Sequence, residues 1–143
     1  MPKKKIMIID DDKEFLEELK EMLKLDGYNA SAFSDYSSAL GMLSKIKPDV
    51  ILLDLKLKEK SGFQVAYELK SFPKTANIPI IAMTGFYIQK EHAKLMNMCG
   101  IEKCLIKPFG SQEAIAKIKA VLKKGGDNDD MRSLRNKEKE SYL

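Results

Sequence analysis

The sequence is poor in the residues from which several common functions are built. It has no tryptophan, a single histidine (His92) and only two cysteines, Cys99 and Cys104. That set is too small and too unevenly spaced for a closed zinc site or a disulfide framework, so both thiols read as buried or incidental. Long apolar runs are missing as well. The longest, Ile6 to Ile9 and Val50 to Leu53, fall far short of the roughly 20 residues that cross a bilayer as a helix. Lys3, Lys4 and Lys5 make the N-terminus positive, but no signal-peptide apolar region or small-residue cleavage site follows them. A cytoplasmic protein without membrane insertion is the expectation. No helix-turn-helix or other DNA-reading unit is recognisable after Lys124, so direct nucleic-acid binding is not indicated.

What is present suits one globular domain. A chain of 143 residues can bury one real core and is too short for a second ordinary domain. With 44% apolar and 32% charged residues it has the balance of a globular chain rather than a disordered one. The net charge of +4 would point to nucleic acid only if lysines gathered on one face. They are spread over several predicted helices among Asp and Glu, which reads as solvated surface.

Hydrophobic period then organises the chain. Lys5 to Ile9 is a short apolar run, and Phe15, Leu16, Leu19, Met22 and Leu23 recur at helical spacing up to Gly27. Tyr28 to Phe33 predicts a second strand. Ala39, Leu40, Leu43 and Ile46 mark a second helix stopped before Pro48. Asp49 to Leu55 is a strand covered on both faces, and a lysine-rich loop with Ser61 and Gly62 follows it. Phe63, Ala66 and Leu69 give a third helix ending near Pro73, and Ile78 to Met83 a fourth strand. A helix from about Ile88 to Met98 stops at Gly100, and Ile101 to Ile106 is the fifth strand. After Lys107-Pro108-Phe109, a Gly-Ser pair offers an N-cap to a last helix striped with Ile115, Ile118, Val121 and Leu122. Five alternating strand–helix units predict an α/β fold, a flavodoxin-like (βα)5 doubly wound parallel sheet of order 2-1-3-4-5. The composition changes at Gly125. Residues 1–124 are read as the domain, and 125–143 as a disordered or helical tail or linker.

In an open parallel sheet, ligands bind outside the carboxyl ends of the strands. Those ends carry Asp10 and Asp11, Asp54, Thr84 and Lys107. Clustered carboxylates with room for water suit octahedral Mg²⁺, which would also relieve their mutual repulsion. A carboxylate can act as a nucleophile toward phosphorus, with a divalent ion, a lysine and a hydroxyl neutralising the oxygen charge. Each residue also has an ordinary reading. Asp10 to Asp12 suit acidic capping of a helix, Asp54 and Thr84 turn chemistry, and Lys107 a surface lysine. Four such accidents at four strand ends would still have to match one reaction.

The set Ile9-Asp10-Asp11, Val50-Ile51-Leu52-Leu53-Asp54 with Gly62 eight residues on, Met83-Thr84 and Lys107-Pro108-Phe109 resembles the receiver domain of two-component response regulators, from about Lys3 to Lys124. The resemblance implies that Asp54 is the phosphoacceptor. It also implies that Asp10, Asp11, Asp54 and the main-chain carbonyl of Lys56 hold Mg²⁺, that Thr84 is the switch hydroxyl and that Lys107 is the cation pairing with the phosphoryl group. Asp12 is assigned to a helix N-cap. In the family the peptide bond before the proline matching Pro108 is cis. The implied protein is no enzyme toward an external substrate, beyond Mg²⁺-dependent self-phosphorylation and slow self-dephosphorylation. Its partners would be a sensor histidine kinase or phosphotransfer protein, and a downstream protein or a missing C-terminal output domain. The output surface would run from about Ile88 to Lys123, where the lysines at 90, 94, 103 and 117 could meet an acidic partner, with a solvated face the ordinary reading of any one of them.

Rival classes fit less well. A nucleotide-binding domain of this fold would want phosphate-cradling amides after strand 1, where Asp10 to Asp12 repel phosphate. A haloacid-dehalogenase-like phosphatase would need Asp two residues after the nucleophile, where Lys56 stands. A receiver-like interaction module without phosphorylation remains the alternative. Several positions depart from the family pattern. Lys58 stands where proline is usual, which predicts a freer loop from Leu57 to Gly62. Ser61 replaces a common acidic residue, Gly85 a common alanine, and Cys104 the usual aromatic ring. Phe86, two residues after Thr84, is expected to obstruct hydrolytic water and lengthen the phosphorylated state.

Overall fold

The computed structural model describes residues 2–85 and 89–126, with side chains through Lys123. Phe86 and the chain beyond Gly126 lie outside the described residues, so the steric role expected of Phe86 and most of the expected tail fall there too. The elements alternate: β1 Lys5–Ile9, α1 Lys13–Leu25, β2 Asn29–Phe33, α2 Tyr36–Ile46, β3 Val50–Asp54, α3 Gly62–Ser71, β4 Ile80–Thr84, α4 Lys90–Met98, β5 Ile101–Ile106 and α5 Ser111–Gly126. The strands form one parallel sheet in the order β2-β1-β3-β4-β5, as the sequence predicts.

The apolar runs are continuous because both faces of the sheet are covered. Met7, Ile9, Ile51, Leu53, Ile80 and Ala82 point to one side, where they pack with Leu43 of α2, Leu69 of α3 and Met96 of α4. Ile6, Ile8, Val50, Leu52, Ile81 and Met83 point to the other, against Leu19 of α1 and Ile118 of α5. Burying each large aliphatic side chain contributes about 1.5–3 kcal/mol.

The helix ends are set locally. Asp12 caps α1 by accepting from the Phe15 N–H at 3.2 Å, in the role the sequence assigned to it. At the other end, Gly27 takes φ +91°. Its N–H and that of Tyr28 bond back to Lys24 and Leu23, a glycine-terminated helix stop. β4 begins at Ile80 rather than Ile78. The Ile78 N–H is taken by Thr75, its carbonyl accepts from the Lys70 ammonium at 2.6 Å, and Pro79 has no N–H to give the ladder. One feature of β5 escapes any alternation rule. The β4–β5 register slips between Ile80 and Ile81, which face Ile101 and Lys103. The extra residue, Glu102, is a bulge that brings Ile101 and Cys104 to the same side of the sheet.

Candidate functional site

β1 and β3 are neighbours in register, Ile9 beside Leu53, so the residues that follow, Asp10 and Asp54, leave the sheet side by side. Asp11 comes next on the same turn. One carboxylate oxygen from each of Asp10, Asp11 and Asp54 can be chosen so that all lie within 4.8 Å of one another. At that spacing each charged pair repels by roughly 3 kcal/mol at an effective dielectric near 20. Asp10 is fully buried and Asp54 is 6% exposed, while Asp11 is half-buried.

Lys107 offsets part of this charge. Its ammonium is 2.6 Å from Asp10 Oδ2 and 3.9 Å from Asp54 Oδ1. Two backbone amides help: Asp12 N–H donates to Asp10 Oδ1 at 2.9 Å, and Lys56 N–H to Asp54 Oδ1 at 3.3 Å. For Asp54 the balance stays unfavourable to charge. Burial first, then the Asp10 carboxylate, pushes its carboxyl above the usual aspartate value, against the pull of Lys107 and the Lys56 amide. The donor set is therefore all oxygen, net negative and only partly compensated, which fits a hard divalent cation.

The other expected residues fall at the same edge. Asp54 faces Met83 across β3–β4, so Thr84 is one position further along the neighbouring strand, 1% exposed. The Lys107 N–H donates to the Thr84 carbonyl at 2.7 Å, which ties the end of β4 to the turn after β5. The Lys107–Pro108 bond is cis. Lys56 is exposed, and its backbone bridges to Ser61 across the β3–α3 loop. Gly62 is required there, since a Cβ would fall on the Asp54 carbonyl and 2.6 Å from Leu55 Cα.

The structure also adds Phe15, which the sequence did not single out for the site. The Lys107 ammonium lies 4.2 Å from the centre of the Phe15 ring, a cation–π contact, and Phe15 meets Phe109 edge to face at 5.8 Å. Phe15 had a complete explanation as a helix-stripe residue, so nothing in its spacing marked it.

Two expectations change. Lacking proline at 58, the Leu57–Gly62 loop was expected to be freer, yet it is tied down. Lys60 pairs with Glu68 at 2.8 Å, Glu59 accepts from Ser37 Oγ at 3.1 Å, and Ser61 and Gln64 form a capping box on α3. Lys117 was grouped with lysines facing outward to a partner. Its ammonium instead donates to the Cys104 carbonyl at 2.8 Å and lies 3.8 Å from Glu113. Cys104 is half-buried, and with Met96, Ile101 and Lys103 it lines a shallow groove of about 290 Å³ between α4 and β5.

Comparison with known proteins gives the same picture. Residues 6–119 match the family described as the response regulator receiver domain. The sensory transduction protein RegX3 of Mycolicibacterium smegmatis is 32% identical, over 87% of this chain and 53% of that protein. The phosphate regulon transcriptional regulatory protein PhoB of Pseudomonas aeruginosa is 34% identical, over 88% of this chain and 55% of that one. The chain thus spans about half the length of the curated relatives it matches. The chemotaxis protein CheY4 of Vibrio cholerae shares the fold, with a TM-score of 0.79 over 84% of this chain and 99% of that one, at 22% identity. By its sequence match and its strand order alike, this chain belongs to the response regulator receiver domains of two-component signalling, with a CheY-like fold.

Proposed function

We propose that the chain receives a phosphoryl group on Asp54 from a phosphohistidine of a sensor kinase or phosphotransfer protein. The observation that carries this reading is the cluster of Asp10, Asp11 and Asp54 with the Lys107 ammonium among them. A Mg²⁺ ion held by Asp10, Asp11, Asp54 and the Lys56 carbonyl would supply positive charge for the phosphoryl oxygens. An Asp54 oxygen attacks phosphorus, the new O–P bond forms as the N–P bond breaks, and the electron pair returns to the donor imidazole. The Lys107 ammonium and the Thr84 hydroxyl then donate to phosphoryl oxygens, with the backbone tie from Lys107 to Thr84 joining their movements. The phosphoryl charge biases an existing equilibrium of the α4–β5–α5 surface toward partner binding. The chain turns over no external substrate.

The receiver unit is taken as residues 1–124, with 125–143 a tail or linker. The output is a downstream protein or a C-terminal output domain, in keeping with relatives of which the match covers only about half. Among the described residues no helix is long and apolar enough to cross a membrane, and we place the protein in the cytoplasm. Intact-mass measurement after incubation with acetyl phosphate and Mg²⁺ tests the chemistry. The expected result is one phosphate, dependent on the metal and absent in Asp54→Asn. An adduct that survives that substitution, or none in the wild type with either acetyl phosphate or a phosphohistidine donor, would reject the assignment.

A further inference from the structure

The β3–α3 loop carries the Lys56 backbone, which touches Asp54, yet it lacks the proline that would stiffen it. We propose that Lys60, Glu59 and Glu68, working against Tyr36 and Ser37 of α2, form a clamp that positions this loop and so sets the Asp54 carboxylate and the Lys56 backbone. The inference rests on the reading of Asp54 as phosphoacceptor. Lys60 and Glu59 are positioning residues in it.

Three contacts make the clamp. The Lys60 ammonium is 2.8 Å from Glu68 Oε1 and 5.5 Å from the centre of the Tyr36 ring. One residue earlier, the Glu59 carboxylate accepts from the Ser37 hydroxyl at 3.1 Å. Lys60 and Glu68 are each half-buried, whereas Lys58 between Asp54 and the clamp is exposed. The hydrogen bond from Lys60 holds the Glu68 carboxyl below its usual range, so the pair persists into acid. Burial, with the Glu68 charge beside it, pushes the Tyr36 phenol up to about 12.

The support behind the clamp is buried and leads back to the site. Tyr36 is 4% exposed and opens α2, whose cap Asp35 accepts from the Ser38 N–H at 2.7 Å. β2, just before it, ends at Phe33, whose carbonyl accepts from the Asp10 N–H at 3.1 Å. On the loop itself, the Lys56 N–H reaches Asp54 Oδ1 only at 3.3 Å, longer than a typical amide bond and therefore sensitive to where the loop lies. Clamping the loop to α2 fixes it relative to the strand end that bears Asp10 and Asp11.

The test uses the full chain, with the double variant Lys60→Met/Glu59→Gln and the swapped pair Lys60→Glu/Glu68→Lys. Amide hydrogen exchange in metal-free protein is read at Lys56 and Ser61 and in β1 and β3, and the Mg²⁺ affinity is measured by titration. Partly exposed ties of this kind correspond to a few-fold each, so the double variant should exchange about tenfold faster at Lys56 and Ser61 and bind Mg²⁺ about fivefold more weakly. Exchange in β1 and β3 should stay unchanged, and the swapped pair should recover most of the loss. Wild-type exchange at Lys56 and Ser61 in the double variant, or a parallel rise across β1 and β3, would overturn the clamp. If the wild type took up neither Mg²⁺ nor phosphate, the assignment of Asp54 would fail instead, and the exchange data would still decide whether these side chains hold the loop.

Discussion

Asp54 carries more negative surroundings than positive ones, and its burial adds to the strain on its charge. Replacing it with Asn removes a charge that Asp10 opposes across less than 4.8 Å. In metal-free buffer at pH 7, Asp54→Asn should therefore raise the unfolding free energy by about 1 kcal/mol or more, read from urea denaturation. The sign of its pH dependence follows from the raised carboxyl. The wild-type penalty is fully present above the folded-state pKa of Asp54 and disappears as pH falls through it to the unfolded value, so the two proteins should converge in acid. Gly62 acts at the same scale. With the Asp54 carbonyl where a Cβ would sit, Gly62→Ala should cost about 1–3 kcal/mol and displace the residue it supports, visible as a lowered unfolding midpoint.

Elements were legible where the physics is local, and less so where it is not. Lys5 to Ile9 and Val50 to Leu53 read directly as strands, because a run of apolar residues between turn signals has few other uses. The site followed from them, since strand ends that share one edge of a parallel sheet bring Asp10, Asp54, Thr84 and Lys107 to that edge whatever their separation in sequence. Features that depend on contacts between elements were not legible. The bulge at Glu102, the Lys70 hold on Ile78 and the ties from Lys60 and Glu59 all need partners outside their own element or set by register. Reading Lys58 alone therefore predicted a loose loop. Ser61 shows the opposite case, where a departure from the family pattern has its own local use. Its hydroxyl accepts from the Gln64 N–H while its own N–H donates to the Gln64 side chain. Ser61→Ala should destabilise the domain by about 1 kcal/mol, and thermal unfolding would show it.

At the scale of the whole molecule, parallel winding sorts the helix ends. Every helix runs back against the strands, so α1, α2 and α3 end together at the edge away from the site, with Lys24, Lys45 and Lys70 in their last turns. Lys24 and Lys45, which look scattered in sequence, stand at the negative ends of the helices they close, while the Lys70 ammonium is taken by the Ala76 and Ile78 carbonyls. The carboxylates of Asp10, Asp11 and Asp54 gather at the opposite edge, where a cation should bind and stabilise the fold. Mg²⁺ at about a hundred times its Kd should add about 2.7 kcal/mol to the unfolding free energy, and Asp11→Asn should remove most of that gain in calorimetry. The short contact between Lys107 and Asp10 has a bearing on the resting protein. A pocket that supplies part of its own counter-charge can assemble without an ion. After exhaustive chelation the domain should keep its circular dichroism and cooperative melting, so the ion can come and go as a ligand of an already folded chain.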